Sequence, residues 1–537
     1  MKIKNQSIFI FFAFLFSILF ATHYKLIVHD PKLTYDDWLI IGPLFKVKNL
    51  SQYFNMISAG EILDLQPIRD LSHLVDIGTK SLFPIYSFHF SNLLIWFIIL
   101  FFLFKVFNNV STSTQTNLVV LGLFAFSLFT TSSVAWLSAR KHLLSFLFIL
   151  ICTEEVTRIE KDINYRIREK KILFFYLLSI LSQPINIFWP LWGFIFLRLK
   201  QYKMTNHFYS VLVAIFFILG VSANFYYFHS FLPLVGKYKF VSQSFFETVS
   251  QSFLALGRYF YLILFPVSAL PTPHSKIALE NLVGLFLICI FLVVLYFYSK
   301  RIPRERASFY VYLSYFFIHL IPVLYNSSIF ASDTYLLNAS VGVYILFILL
   351  INNKTAPLFL ISAYSAFLAV ENFQYANIFS NAKTLWVYSF NKEQSTEATV
   401  AVAEFMIKDK HYNDAYSLTK DGLQNEEVIP VYLNSIYLNN FLSQEKISLI
   451  KNIPLEHPSK YFFLILLAAE DSDKKLVDGY AKKFFMFERN LDWVPIQKRN
   501  LIKSFLNEVI YGDYHLNQNS NKQNYIHKAY ENIIVDL

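Results

Sequence analysis

The sequence predicts an all-α, polytopic membrane protein of about eleven transmembrane helices, followed by a soluble helical domain with tetratricopeptide-like character. Three observations predict it. Hydrophobic residues make up 55% of the 537 residues and charged residues only 16%, with 59 Phe and 34 Tyr, a composition foreign to ordinary soluble domains. Apolar runs able to cross a hydrocarbon core of roughly 30 Å recur through residues 1–371, where the bilayer serves as solvent. From residue 372 to 537 no run can span, and Lys, Asp, Glu, Asn and Tyr predominate. The expected organisation is therefore a membrane domain over 1–371 and an extracytoplasmic helical-repeat-like domain over 372–537.

The first apolar run, 7–22, ends in Ala21-Thr22-His23-Tyr24-Lys25. That is a poor small-residue cleavage site, so the run is expected to be an uncleaved first helix. A polar stretch, 23–80, precedes a span at about 86–106. Two closely spaced helices, 118–129 and 134–152, follow, joined near Thr130-Thr131-Ser132-Ser133. Arg158, Lys161, Arg166, Arg168, Lys170 and Lys171 form the densest short basic loop and are assigned to the cytoplasm, which places 23–80 outside. Residues 172–197 are interrupted by Gln183-Pro184 and are expected to be two short helices or a re-entrant hairpin. Spans at 208–226 and 282–298 then carry the chain out and back to the basic tetrad Lys300, Arg301, Arg304 and Arg306. This assigns 245–270 to an interfacial helix on the outer side. Spans at 309–324, 336–350 and 358–370 complete the set and leave the C-terminal domain outside. A bacterial inner membrane with that domain in the periplasm is the expected setting.

Several functional classes drop out. The net charge of +10 lies beside apolar runs, where it sets topology and does not form a nucleic-acid face. Cys152 and Cys289 lie in apolar helices and build no disulfide framework. Phosphate-loop, dinucleotide, metalloprotease and kinase signatures are missing, and 13 Gly leave little material for phosphate-cradling loops. This argues against a cytosolic enzyme that uses nucleotide sugars.

Charge near a membrane is costly and marks candidate chemistry, so the outer segments carry the candidates. Thr34-Tyr35-Asp36-Asp37-Trp38 offers adjacent carboxylates at headgroup level. Asp36 or Asp37 could act as a general base, or the pair could cap a helix or sit in a solvated turn. In the stretch from Leu65 to Asp76, Arg69 could clamp a phosphate oxygen and Asp76 could supply a second carboxylate. Alternatively, Arg69 and Asp70 are rim residues of an amphipathic helix. His89 and Asn92 enter the next span one turn apart, His89 either as a ligand-binding group or as a satisfied structural one. Arg140 and Lys141, beside Trp136, suit a lipid phosphate or simple headgroup anchoring. Lys237, Lys239, Arg258 and His274 add further outer-side cations. No spacing demands a metal ion, although a divalent cation such as Mg or Mn could bridge carboxylates and phosphate.

In order along the chain, these segments resemble the GT-C glycosyltransferases, in particular the tetratricopeptide-repeat O-mannosyltransferase-like proteins and their bacterial relatives. Asp36-Asp37 stands at the family's acidic outer-loop motif, and Leu65-Gln66-Pro67-Ile68 at its Tyr-Arg-Pro-Leu. Leu71-Ser72 to Asp76 corresponds to Ser-Phe-x-Leu-Asp, and Phe88-His89 with Asn92-Leu93-Leu94 to Phe-His-x-x-Asn-Leu-Leu. Val134 to Lys141 is similar to Val-x-Trp-Ile-Ser-Gly-Arg; Ala255 to Tyr259 with Pro266, and Asp333 to Leu336 with Ser340-Val341-Gly342, resemble two later segments. Gln66 replaces an arginine, His142 an acidic residue and Gln183-Pro184 a Lys-Glu pair; these departures bear on donor binding. The resemblance implies a polyprenyl-phosphate sugar donor, a protein or glycolipid acceptor and Asp36 or Asp37 as the base. A transporter or flippase for lipid-linked sugar would instead place ionisable groups deep in paired broken helices. A catalytically inactive scaffold would keep acceptor binding alone. In the C-terminal domain, Ala401 to Phe405 and Tyr412 to Tyr416 have something like tetratricopeptide spacing without a sustained period.

Overall fold

The computed structural model describes residues 2–28, 40–58, 66–83, 87–158, 165–200, 245–269, 279–302, 306–325, 333–351, 354–392, 394–424, 428–439, 441–454, 457–470 and 474–487. Among the described residues every regular element is a helix. Among the described residues five helices are long and apolar enough to cross a membrane, or six if one bent pair counts as a single span. The predicted span at 208–226 lies outside the described residues. The chain divides into two compact units, Met1–His229 with Ser242–Leu385, and Ser230–Val241 with Trp386–Leu537.

The first unit contains α1 (Lys2–Val28), α2 (Leu50–Ser58), α3 (Pro67–Leu82), α4 (Phe88–Val110), α5 (Thr114–Ala125), α6 (Leu128–Ala135), α7 (Arg140–Thr157), α8 (Tyr165–Ser182) and α9 (Trp189–Leu199). It continues with α10 (Phe245–Leu264), α11 (Leu279–Arg301), α12 (Arg306–Tyr325), α13 (Leu336–Ile351) and α14 (Thr355–Ile378). Phe286, Val293 and Phe297 on α11 are exposed, as side chains are where lipid is the solvent.

The expected joint at Thr130–Ser133 is helical instead. The chain breaks earlier, between α5 and α6, with a bend of 58°. The hydroxyls of Thr130, Ser132 and Ser133 donate to carbonyls three or four residues back, Ser127 O and Phe129 O, at 2.7–3.3 Å, so residues read as a linker extend the helix. Carbonyls freed at the bend find other donors. Ser127 Oγ donates to Leu123 O at 2.8 Å and Asn372 Nδ2, from α14, to Phe126 O at 2.6 Å. A broken helix at membrane depth needs such substitutes, because lipid supplies none.

Gln183-Pro184 does separate α8 from α9, with Gln183 extended ahead of the proline. Neither helix is long and apolar enough to count as a span. Of the stretch expected at 245–270, the described residues form the 20-residue α10 and a short 3-10 turn, Pro266–Ser268, and α10 packs along α11. The two meet at Gly257 and Gly284 so closely that a Cβ on Gly284 would strike the Gly257 carbonyl. α12 and α13 repeat the device at Gly342, whose Cβ would lie 3.0 Å from Phe316 N. Small residues permit this backbone approach between helices where no hydrophobic force drives association.

The second unit packs consecutive short helices around Ala403, Ile407, Ala415, Ile429, Leu433, Ile436, Ile465 and Leu466. The turn after the helix Thr396–Lys408 places Lys410 at φ 66°. His411 N–H then donates to Met406 O at 2.7 Å and Lys410 N–H to Ile407 O at 2.9 Å, which satisfies terminal carbonyls of the helix.

Candidate functional site

Pro67 opens α3, where its missing N–H costs nothing and its fixed φ suits the first turn. The helix then inverts the usual amphipathic rule. Arg69, Asp70, His73 and Asp76 are buried, whereas Leu71 and Val75 are exposed. The spacing 69, 70, 73, 76 is one helical face. Its charge is tolerable only because each ion finds a partner.

Arg69 donates to Asp70 Oδ1 from Nε at 2.8 Å and from Nη2 at 2.6 Å, and Tyr53 OH on α2 donates to Asp70 Oδ2 at 3.0 Å. About two turns on, Asp76 pairs with Nη1 of Arg140, the first residue of α7, and accepts from Ser91 Oγ at 2.7 Å. Arg140 also donates from Nε to Asn92 Oδ1 at 2.6 Å and from Nη2 to Phe88 O at 2.8 Å. Asn92 Nδ2 in turn donates to Val134 O at 3.0 Å, and His89 Nε2 to Ala135 O at 2.9 Å. Those two carbonyls end α6 and lack partners within the helix. His89 is thus anchored through Nε2 to the end of α6. Together, α3, the start of α4, the end of α6 and the start of α7 form one polar knot.

His73 sits in this knot fully buried, its ring 6.1 Å from that of Phe88, and both ring nitrogens lack a hydrogen-bond partner. Burial first, then the Arg140 and Arg69 guanidiniums, push its pKa well below the ordinary 6.5 and keep it neutral. Leaving such groups unpaired costs about 1–3 kcal/mol. In the unfolded chain His73 takes up a proton below about pH 6.5, and the folded chain resists it, so folding stability falls as pH drops through that value. The melting temperature of the purified protein is expected to decline between pH 8 and 5.5, and His73→Phe is expected to flatten that decline.

A second cluster involves α10. Arg258 pairs with Glu280, and its Nη2 lies 3.7 Å from Asp333 Oδ2. Asp333 opens a 3-10 turn, Asp333–Tyr335, and the Tyr335 ring lies 5.0 Å from that of His142, two residues past Arg140 on α7. The Arg258 pair and the Arg140 knot therefore meet at the same end of α7. At the other end of α7, Glu155 pairs with Lys171 and lies 4.0 Å from Arg168 Nε. From Arg140 to Glu155 the helix rises about 22 Å, so basic-loop charges and the polar knot stand well apart.

No protein-family model matches the chain, no curated protein matches it, and no solved structure matches its fold.

Of the sequence candidates, Arg69, Asp76, His89 and Arg140 are brought into one knot, with the half-buried Lys141 beside Arg140 and Arg258 in the neighbouring cluster. Asp36, Asp37, Lys237, Lys239 and His274 lie outside the described residues. Among the described residues no group of three or more His, Cys, Asp or Glu is placed to hold a metal ion. The Asp70 and Asp76 oxygens are taken up by guanidinium, tyrosyl and seryl donors, so these carboxylates do not offer a divalent cation an open ligand set. Sequence reasoning gave no role to Asp70 as Arg69's buried partner, to His73, or to Asp333. The i, i+4, i+7 spacing of 69, 73 and 76 was the available signal.

Proposed function

We propose that this chain is a multi-pass GT-C type glycosyltransferase that moves a sugar from a polyprenyl-phosphate donor to a protein or cell-envelope acceptor on the outer face of a bacterial inner membrane. On this reading the membrane part has about eleven spans, and a tetratricopeptide-like C-terminal domain presents the acceptor. The observation that supports it most is the concentration of buried, paired charge from α3, α4 and α7 at one end of α7, away from the basic-loop end. Desolvated, preorganised polar groups at a membrane boundary suit chemistry on a lipid-borne anion.

In the proposed reaction Asp36 or Asp37 takes the proton of the acceptor hydroxyl as its oxygen attacks the anomeric carbon. The new glycosidic bond forms on the face opposite the leaving group, and the C1–O bond to phosphate breaks with its electron pair going to the polyprenyl phosphate. Lys141 and His274 are assigned to the phosphate, and Arg258, committed to Glu280, holds α10 against α11 beside them. Arg69 and Arg140, committed to Asp70 and Asp76, act as positioning residues that fix α3 against α7. A divalent cation at the outer-loop carboxylates is compatible with the same steps.

The test is sugar transfer in membranes carrying the full chain, assayed against a panel of polyprenyl-phosphate hexoses with endogenous acceptors. Transfer from at least one donor, dependent on the expressed chain, is expected. Failure across the panel in well-folded protein overturns the reading.

A further inference from the structure

The basic segments of the first unit differ in what balances them. At the Glu155 end of α7 the cations meet carboxylates: Lys171 pairs with Glu155, Arg168 Nε lies 4.0 Å from Glu155 Oε2, and Arg158 Nη1 lies 3.7 Å from Glu154 Oε1. The tetrad between α11 and α12 is not balanced in this way. From 281 to 332 the sequence sets Lys300, Arg301, Arg304 and Arg306 against the single acid Glu305. Lys300, Arg301 and Arg306 are exposed, and among the described residues no ion pair includes them. Two of them instead lie over exposed tyrosines. Lys300 Nζ is 4.6 Å from the Tyr296 ring centroid and the Arg306 guanidinium 5.8 Å from that of Tyr310, each cation resting on an aromatic face. The Tyr298 ring meets Phe309 edge-on at 5.4 Å, which draws the end of α11 to the start of α12.

A third helix ends at the same level. Asn186 Nδ2 donates to Ser145 Oγ at 2.9 Å and Trp189 Nε1 to Thr153 Oγ1 at 3.1 Å, so α9 advances along α7 toward Glu155, away from Arg140. It runs antiparallel to α12: Asn186 shares a cavity wall with His319, and Trp192 Nε1 donates to Val311 O at 3.0 Å. The same register carries the exposed Arg198, and Lys200 after it, level with Arg306. Phe194 on α9 and Val293 and Phe297 on α11 are exposed about one to two turns short of these cations. Cations above an apolar surface fit an amphiphile, whose phosphate takes the guanidinium and ammonium groups while its chains cover the phenyl and valyl groups. A free phosphate would use only the first, and a zwitterionic lipid would leave the positive charge unbalanced.

We propose that the ends of α9, α11 and α12 form a binding site for the headgroup of an anionic glycerophospholipid, at the end of the bundle opposite the polar knot. Lys300, Arg301, Arg306 and Arg198 hold the phosphate, and the exposed side chains beside them receive the acyl chains. The inference goes beyond the transfer reading and does not rest on it.

The test titrates the full chain in neutral detergent with phosphatidylglycerol, phosphatidylcholine, polyprenyl phosphate and inorganic phosphate. Wild type is expected to bind phosphatidylglycerol more tightly than phosphatidylcholine. The variant Lys300→Gln/Arg301→Gln/Arg306→Gln is expected to weaken phosphatidylglycerol binding by about 10–10²-fold. A second triple variant, Lys408→Gln/Lys420→Gln/Lys451→Gln, removes the same charge from exposed positions of the second unit and is expected to bind as wild type does. Arg198→Gln, on a different helix, is expected to weaken binding severalfold by itself, and it serves as the readout should the first triple variant fold poorly. Equal loss in the two triple variants would reduce the effect to net charge and overturn the site. So would a wild type that does not distinguish phosphatidylglycerol from phosphatidylcholine, or an Arg198→Gln protein that binds unchanged. Displacement of phosphatidylglycerol by inorganic phosphate at equal concentration overturns the lipid as occupant in favour of a free anion. A triple variant that loses polyprenyl phosphate and keeps phosphatidylglycerol overturns it in favour of the polyprenyl lipid.

Discussion

Replacing Arg140 by Met is expected to destabilise the protein by about 3–5 kcal/mol, the cost of stranding a buried charge. Asp76 is 3% exposed, and the substitution takes away its guanidinium partner while Ser91 still donates to it. The same substitution also removes donors to Asn92 and to the Phe88 carbonyl, so the start of α4 loosens from α7. The double variant Arg140→Met/Asp76→Leu removes both charges and is expected to regain most of the lost stability, because neither ion is then left alone. It is not expected to regain transfer, since α3 no longer registers on α7 through the pair. Thermal melting and transfer measured on both variants check this. An Arg140→Met protein that melts like wild type would show that the pair adds nothing.

Gly284→Val is expected to be the second most damaging change, at the upper end of the about 1–3 kcal/mol typical of overpacking. The new side chain would meet the Gly257 carbonyl, its carbon and its Cα, backbone atoms that cannot rotate away. Separating α10 from α11 also draws Arg258 from Glu280, so loss of donor-lipid binding is expected beside the fall in melting temperature. Gly78→Ala is the control. A Cβ there meets nothing within 4 Å, and an exposed helical position favours Ala over Gly by about 1 kcal/mol. If Gly284→Val and Gly78→Ala melt alike, the close approach of α10 and α11 is not what holds them.

Much of the helical architecture was legible because lipid leaves a plain mark. The span expected at 86–106 is α4, Phe88–Val110, and the Gln183-Pro184 interruption falls where the proline removes a donor. The Thr130 to Ser133 run was misread, since hydroxyl residues mark both turns and back-bonded helix, and only the partner carbonyl separates them. The candidate site was legible in part. Arg69, Asp76, His89 and Arg140 were singled out as charges near a membrane, yet their pairing joins residues up to 64 apart, such as Asp76 and Arg140. That is tertiary information. Asp70 beside Arg69 reads as an exposed rim on local pattern, and burial follows only once the two neutralise each other.

The proposed sugar transfer depends on Asp36 or Asp37. The measurement that tests it most directly is transfer from the active polyprenyl-phosphate donor in membranes carrying wild type or the Asp36→Asn/Asp37→Asn variant, with expression and melting temperature matched. Removing a general base is expected to lower the transfer rate by about 10²–10⁴-fold while donor-lipid binding persists. Equal rates in the two membranes would contradict the account.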